Sequence, residues 1–157
     1  MVIVMLYASI ENKKIKELKK LNTKKYRDLN NLFIVEGEHL VLEAIKSNLA
    51  VELMLEKNTV FPIDILKCYA TKEVLKKISS LDTPPNMIAI VKKKKEEDYK
   101  NKLILIDSIQ DPGNLGTIIR SAVAFNFDTI VLGDNTVDLY NPKVIRASQG
   151  MLFHINI

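Results

Sequence analysis

Arg120 closes the stretch "IQDPGNLGTIIR" (Ile109–Arg120), and Arg146 lies inside "NPKVIRASQG" (Asn141–Gly150). A guanidinium stays protonated at physiological pH and offers a planar fork to a phosphate or a developing oxyanion, so both side chains suit an anionic ligand. The first stretch also holds Gly113, Asn114 and Gly116. A dinucleotide fingerprint would need G-x-G-x-x-G and a P-loop G-x-x-x-x-G-K-[ST]; neither pattern is present. The plain structural alternative is an Asp-Pro-Gly turn feeding a helix, with Gly116 small enough for that helix to pack close to its strand. On a helical wheel with Leu115 at the origin, Leu115, Ile118, Ile119, Ala122 and Val123 form one apolar stripe, and Arg120 falls about 140° away, just outside it. A solvated surface arginine and an arginine aimed at a ligand both remain open at this point.

Such side chains need a scaffold. "LILID" (Leu103–Asp107) is apolar up to its last residue, as a strand covered on both faces would be. A helix is expected from Asn114 to Phe125, then the strand "TIVLG", then a second helix with Asn141 as N-cap, Pro142 at its first position and Gly150 just past its end. "LFHINI" reads as a third strand. This β-α-β-α-β order predicts a parallel sheet with right-handed crossovers, whose ligands bind beyond the C-terminal strand ends. "SIQDPGN" and "DNTVDLYNP" both lie there.

The preceding part predicts a small α/β layer. Its expected elements are a basic helix over Ile10–Leu21 capped by Ser9, a buried strand in "LFIVEG", a helix in "HLVLEAIKSN", a strand in "VELMLEK", a helix capped by Thr71 and a closing strand "MIAIV". The opening "MVIVMLY" reads as a strand or ordered arm. "VKKKKEEDYKNK" (Val91–Lys102) reads as a solvated connector, giving domains at 1–97 and 98–157.

The chain has 157 residues with one cysteine, Cys68, so an intrachain disulfide is excluded, in keeping with a cytoplasmic protein. His39 and His154 are the only histidines and show no metal-ligand spacing, so no metal is expected. No apolar run approaches the ~18 residues of a membrane helix. The net charge of +4 is unevenly placed: residues 1–100 hold nineteen Lys and Arg against fourteen Asp and Glu, and the remainder four against five. Lys13, Lys14, Lys16, Lys19, Lys20, Lys24, Lys25 and Arg27 crowd the start, opposed there only by Glu17. A solvated helix face is one reading of that run, and contact with the phosphates of folded RNA is the other.

The two C-terminal stretches, together with "NKKIKELKKLNTKKYRD" and "FIVEGEHLVLEAI", resemble the SpoU (TrmH-type) RNA ribose 2′-O-methyltransferases of the SPOUT superfamily. The resemblance covers nearly the whole chain and includes the N-x-x-G-x-x-x-R element at Asn114, Gly116 and Arg120. It implies methyl transfer from S-adenosylmethionine to a ribose 2′-hydroxyl of RNA, ribosomal RNA in preference to transfer RNA. Arg120 would be the catalytic arginine, with Asn114 orienting groups beside it. Gly113, Gly116, Asn141, Arg146 and Ser148 would line the substrate and cofactor loops, and Lys13, Lys16, Lys20, Lys24, Lys25 and Arg27 would contact RNA. A homodimer is implied as well. The implied architecture is a small N-terminal α/β substrate-binding domain plus a partial parallel sheet lacking the C-terminal trefoil knot, since the chain ends before the family's cofactor-binding knot motifs. On that reading most of the cofactor pocket is absent and this chain alone is inactive. The alternative is a non-catalytic RNA-binding module derived from the same family.

Overall fold

A computed structural model describes residues 5–157. The chain forms two compact units that part between Lys93 and Lys94, inside the charged run. Residues 1–4 of the opening stretch lie outside the described residues.

The first unit is built on a five-stranded mixed sheet. Its strands are β1 (Leu6–Tyr7), β2 (Leu32–Glu36), β3 (Ala50–Glu56), β4 (Lys67–Ala70) and β5 (Met87–Lys92), in the order β1-β4-β3-β5-β2. β5 pairs antiparallel with β2 and β3, while β4 runs parallel to β3 and β1. Strand side chains alternate between faces. Ile34, Met54, Ile88 and Ile90 therefore meet Ile15 and Leu18 of α1 (Lys13–Lys20) and Val74, Leu75 and Ile78 of α4 (Lys72–Ile78) in one buried cluster. Phe33, Val35, Leu53, Ala89 and Val91 are buried on the opposite side. There α3 (Glu38–Lys46) packs against β2, β3 and β5 through Leu40, Val41 and Ala44.

Three local readings are revised in this unit. The basic helix starts at Lys13, because Asn12 and not Ser9 is its cap: Asn12 Oδ1 accepts from Lys14 N at 2.9 Å, whereas Ser9 Oγ accepts from Glu11 N in the preceding turn. It also ends earlier and is followed by a separate helix, α2 (Lys24–Asn30), which Asn31 stops in the left-handed region at φ 54°. β4 was not foreseen; four residues with no clear alternation carry too little signal. Of the opening stretch, Leu6–Tyr7 forms β1.

The second unit holds β6 (Leu103–Ile106) and β7 (Thr129–Leu132), paired parallel with Leu103 opposite Thr129 and Ile106 opposite Leu132. Between them runs α5 (Pro112–Ala124), and α6 (Pro142–Ala147) follows β7. The expected third strand is reduced to a single parallel bridge between Thr129 and Asn156. Gly150, at φ 82°, turns the chain into a 3-10 helix at Met151–Phe153, which takes up the first two residues of "LFHINI". Nor is β6 covered on both faces: Ile106 is buried, whereas Leu105 is 74% exposed.

The charged connector is less loose than its composition implies. Its side chains from 95 to 100 are exposed, yet its backbone is stitched to the second unit. Asn156 Nδ2 donates to Glu97 O, and Thr129 Oγ1 accepts from Lys100 N. Lys94 donates from Nζ to Ile155 O at 2.8 Å, and its partial burial lowers its pKa. Its backbone N–H donates to the hydroxyl of Tyr140, whose pKa burial raises.

Candidate functional site

α5 begins where its own chemistry dictates. Asp111 Oδ1 accepts from Asn114 N at 2.7 Å, and Pro112 occupies the first turn, where its missing N–H costs nothing. Leu115, Ile119 and Ala122 are buried, which turns Arg120 outward. Its side chain is exposed and makes no hydrogen bond or ion pair with any described residue. Asn114 is also exposed, six residues earlier, so it stands about 9 Å along the axis and about 120° around it. The two flank a common rim and do not share a helix face.

Gly113, Gly116, Thr117 and Arg120 do share one, at the i, i+3, i+4, i+7 spacing. Gly116 is not a loop residue. It lies inside α5 and meets α6, not the strand: a Cβ there would stand 2.8 Å from the Ala147 carbonyl carbon and from Ser148 N, and would overlap Ala147 Cβ outright. Asn141 and Ser148 are likewise structural. Asn141 Oδ1 caps α6 by accepting from Lys143 N at 2.9 Å, while Ser148 is fully buried with its hydroxyl donating to Ile145 O. Arg146 is half-buried in the last turn of α6.

The loops after β6 and β7 are joined. Val137 N donates to Ile109 O at 2.8 Å, and Gln110 Nε2 donates to Asn135 O. Ser108 sits in this rim at φ 58°, a left-handed conformation that costs a non-glycine residue about 1–2 kcal/mol. Most other left-handed positions outside glycine are asparagines (Asn31, Asn48, Asn58, Asn126), which tolerate it. Ser108→Gly is therefore expected to raise stability by about 0.5–1 kcal/mol after the entropy cost of glycine, read as a higher denaturation midpoint.

The basic run of the first unit divides into four kinds of side chain. Lys13 and Lys25 are exposed and make no ion pair with a described residue. Lys16, Lys20 and Lys24 pair at the surface with Glu11, Glu17 and Asp28, and Lys20 and Lys25 also lie over the Tyr26 ring. Arg27 belongs to neither group: it is 3% exposed and donates from a terminal guanidinium nitrogen to Leu21 O at 2.9 Å. It holds the α1–α2 turn and is withdrawn from the RNA-contact set. Lys14 and Lys19, part of the same run, bond to Glu52 and to Ser79 O.

Hydrogen bonds from Lys24, then Lys93, hold the Asp28 carboxyl at about 2. A carboxyl lowered in the folded state contributes stability above its unfolded pKa of about 4, lost as pH falls through about 2. The difference in urea midpoint between wild type and Asp28→Asn should therefore shrink between pH 5 and pH 2; a constant difference would count against this pairing.

Residues 12–89 match the MRM3-like substrate binding domain, and residues 101–157 match the SpoU rRNA Methylase family. The chain belongs to the SpoU family. It is 42% identical over 155 residues to the 23S rRNA (guanosine(2553)-2'-O)-methyltransferase RlmP of Bacillus subtilis, covering 95% of this chain and 62% of that protein. It is 30% identical to human mitochondrial rRNA methyltransferase 3, covering 87% of this chain and 37% of that one. The solved rRNA methyltransferase from Sinorhizobium meliloti superposes with a TM-score of 0.85 at 27% identity, over 98% of this chain and 64% of that one, and its AdoMet-bound form with 0.83. This SpoU chain thus spans less than two thirds of the length of these relatives. Among its described residues no cluster of metal-binding side chains occurs, and no helix is long and apolar enough to cross a membrane.

Sequence reasoning missed three features of the SpoU unit. Asp111 as the cap of α5 was legible in principle from Asp-Pro at a helix start. The docking of Gly116 on Ala147 and the left-handed Ser108 had no local signal.

Proposed function

We propose that the protein transfers a methyl group from S-adenosylmethionine to a ribose 2′-hydroxyl of ribosomal RNA, with Arg120 as the catalytic arginine. The observation that carries this is an exposed guanidinium with no ion pair to any described residue, on the helix that follows the first parallel strand. Surface arginines on helices are common; this one lies in a SpoU chain whose relatives are named as RNA 2′-O-methyltransferases.

A 2′-hydroxyl is a poor nucleophile until negative charge on its oxygen is stabilised. Arg120 can hold the neighbouring phosphate through two parallel N–H bonds, or donate to the oxygen as its proton leaves. Bound at this rim, S-adenosylmethionine supplies an electrophilic methyl on a sulfonium. The residues present fit the edge of such a site: Asp107 and Asp134 are exposed carboxylates after β6 and β7, suited to a cationic group. Asn114, Gly113 and Arg146 complete the rim, the roles of Gly116, Asn141 and Ser148 being to build it.

The first unit is the RNA-binding part on this reading, and the enzyme works as a homodimer in the cytoplasm. Cys68 is buried and bonded to Leu53 O, its thiol pushed up to about 12 mainly by desolvation, as suits a cysteine with no redox role. Lys13 and Lys25 are the side chains readiest for phosphate, and the surface pairs of Lys16, Lys20 and Lys24 cost little to exchange. Lys13→Ala and Lys25→Ala should each weaken RNA binding and lower the slope of log affinity against log salt by about 1. Salt-independent binding would contradict the role of this face.

The direct test is transfer of labelled methyl groups by the full-length protein to ribosomal and transfer RNA in parallel. Incorporation into ribosomal RNA supports the proposal. RNA binding without incorporation would favour the non-catalytic module.

A further inference from the structure

We infer that Gly116 is a positioning residue for Arg120: its missing side chain fixes how closely α5 approaches α6, and so where the guanidinium one turn further on is held. The inference rests on the reading of Arg120 as the catalytic arginine.

Three observations carry it. At the crossing, the space a Cβ would need is filled by Ala147 Cβ and by main chain, with the Ala147 carbonyl carbon and Ser148 N each 2.8 Å from the Cβ position. A flexible side chain could swing aside, but backbone cannot. The α6 side of the contact is itself pinned. Ser148 N donates to Val144 O, its hydroxyl donates to Ile145 O, and Val144 and Ile145 are buried. α5 cannot roll away to make room either, because Leu115 and Ile119, on either side of the crossing, are fully buried. A methyl group at 116 must therefore push the helix outward as a body. Arg120 lies on the same helix face at i+4 and moves with it.

Gly113 shows the contrast. A Cβ there would meet only the Asp111 carboxylate, at 3.0 Å. The two glycines look equivalent in sequence, yet one opens the first turn and the other sets an interhelical distance. A displacement of about 1 Å at a catalytic group costs on the order of a hundredfold in rate.

The test is steady-state methyl transfer by the full-length protein, with folding monitored by circular dichroism and urea unfolding. Gly116→Ala should lower kcat by about a hundredfold while KM for RNA stays within about twofold. Adding Ala147→Gly, which removes the overlapping Cβ, should recover at least about tenfold of that loss. In an Arg120→Ala background, Gly116→Ala should cost nothing further, because its effect passes through the missing guanidinium. Should Gly116→Ala fail to fold, Ala147→Ser enlarges the facing wall by one oxygen and should show the same dependence on Arg120. A folded Gly116→Ala with unchanged kcat, or one that loses the same factor with and without Arg120, overturns the positioning role. Full activity of Arg120→Ala would instead overturn the catalytic assignment beneath it.

Discussion

Arg120→Ala is expected to lower kcat for ribosomal RNA by about 10²–10³-fold, the usual cost of removing one preorganised donor from a developing oxyanion. Its urea midpoint should match wild type, because the side chain is exposed and bonds to no described residue. This combination separates catalysis from folding, since stability cannot account for a rate loss without an unfolding shift. Arg120→Lys keeps the charge but loses the planar fork, so it should recover little if the guanidinium grips phosphate through two bonds. Substantial recovery by lysine would mean that a point charge is enough. An unchanged rate in the alanine variant would remove Arg120 from the mechanism.

Arg27→Ala is expected to destabilise the first unit by about 3 kcal/mol. The cost combines the lost charge-assisted bond to Leu21 O, a buried carbonyl left without that donor, and the apolar stem packed beneath it. Lys24→Ala and Lys25→Ala, three and two residues earlier on the same helix, should each stay within about 0.5 kcal/mol, as surface substitutions do. Arg27→Met should fall between, since it keeps much of the stem volume. The RNA affinity of folded Arg27→Ala should equal that of wild type, with the salt slope unchanged. A lower slope with unaltered stability would return Arg27 to the RNA-contact set.

This contrast between neighbouring basic residues shows where sequence reading stops. Eight cations within fifteen residues announce a basic face, but burial is decided by the angle at which α2 leaves α1, and Thr23 alone does not specify that angle. Strong local signals were legible. "LFIVE" and "MIAIV" are long enough and apolar enough to be recognised as β2 and β5, and Asn141-Pro142 marks the start of α6 through capping chemistry internal to the segment. Signals of tertiary origin were not. "LFHINI" has strand composition, yet Gly150 and the bond from Met151 N to Ser148 O commit its first two residues to a 3-10 turn, leaving Asn156 to make the sheet contact. Leu105 belongs to a strand that reads as buried on both faces but is covered on one. At the candidate site, Arg120 and its exposure followed from helical periodicity. The structural duties of Gly116 and Ser148 appear only where α5 and α6 meet.

The chemistry assigned to the rim can be decided by finding where the methyl group goes. Ribosomal RNA is incubated with the full-length protein and methyl-labelled S-adenosylmethionine, digested to nucleosides and separated by mass. The account predicts the label on the ribose of a single 2′-O-methylnucleoside, absent from reactions with Arg120→Ala. Label on a base, or the same ribose product from the variant at the same rate, would contradict it.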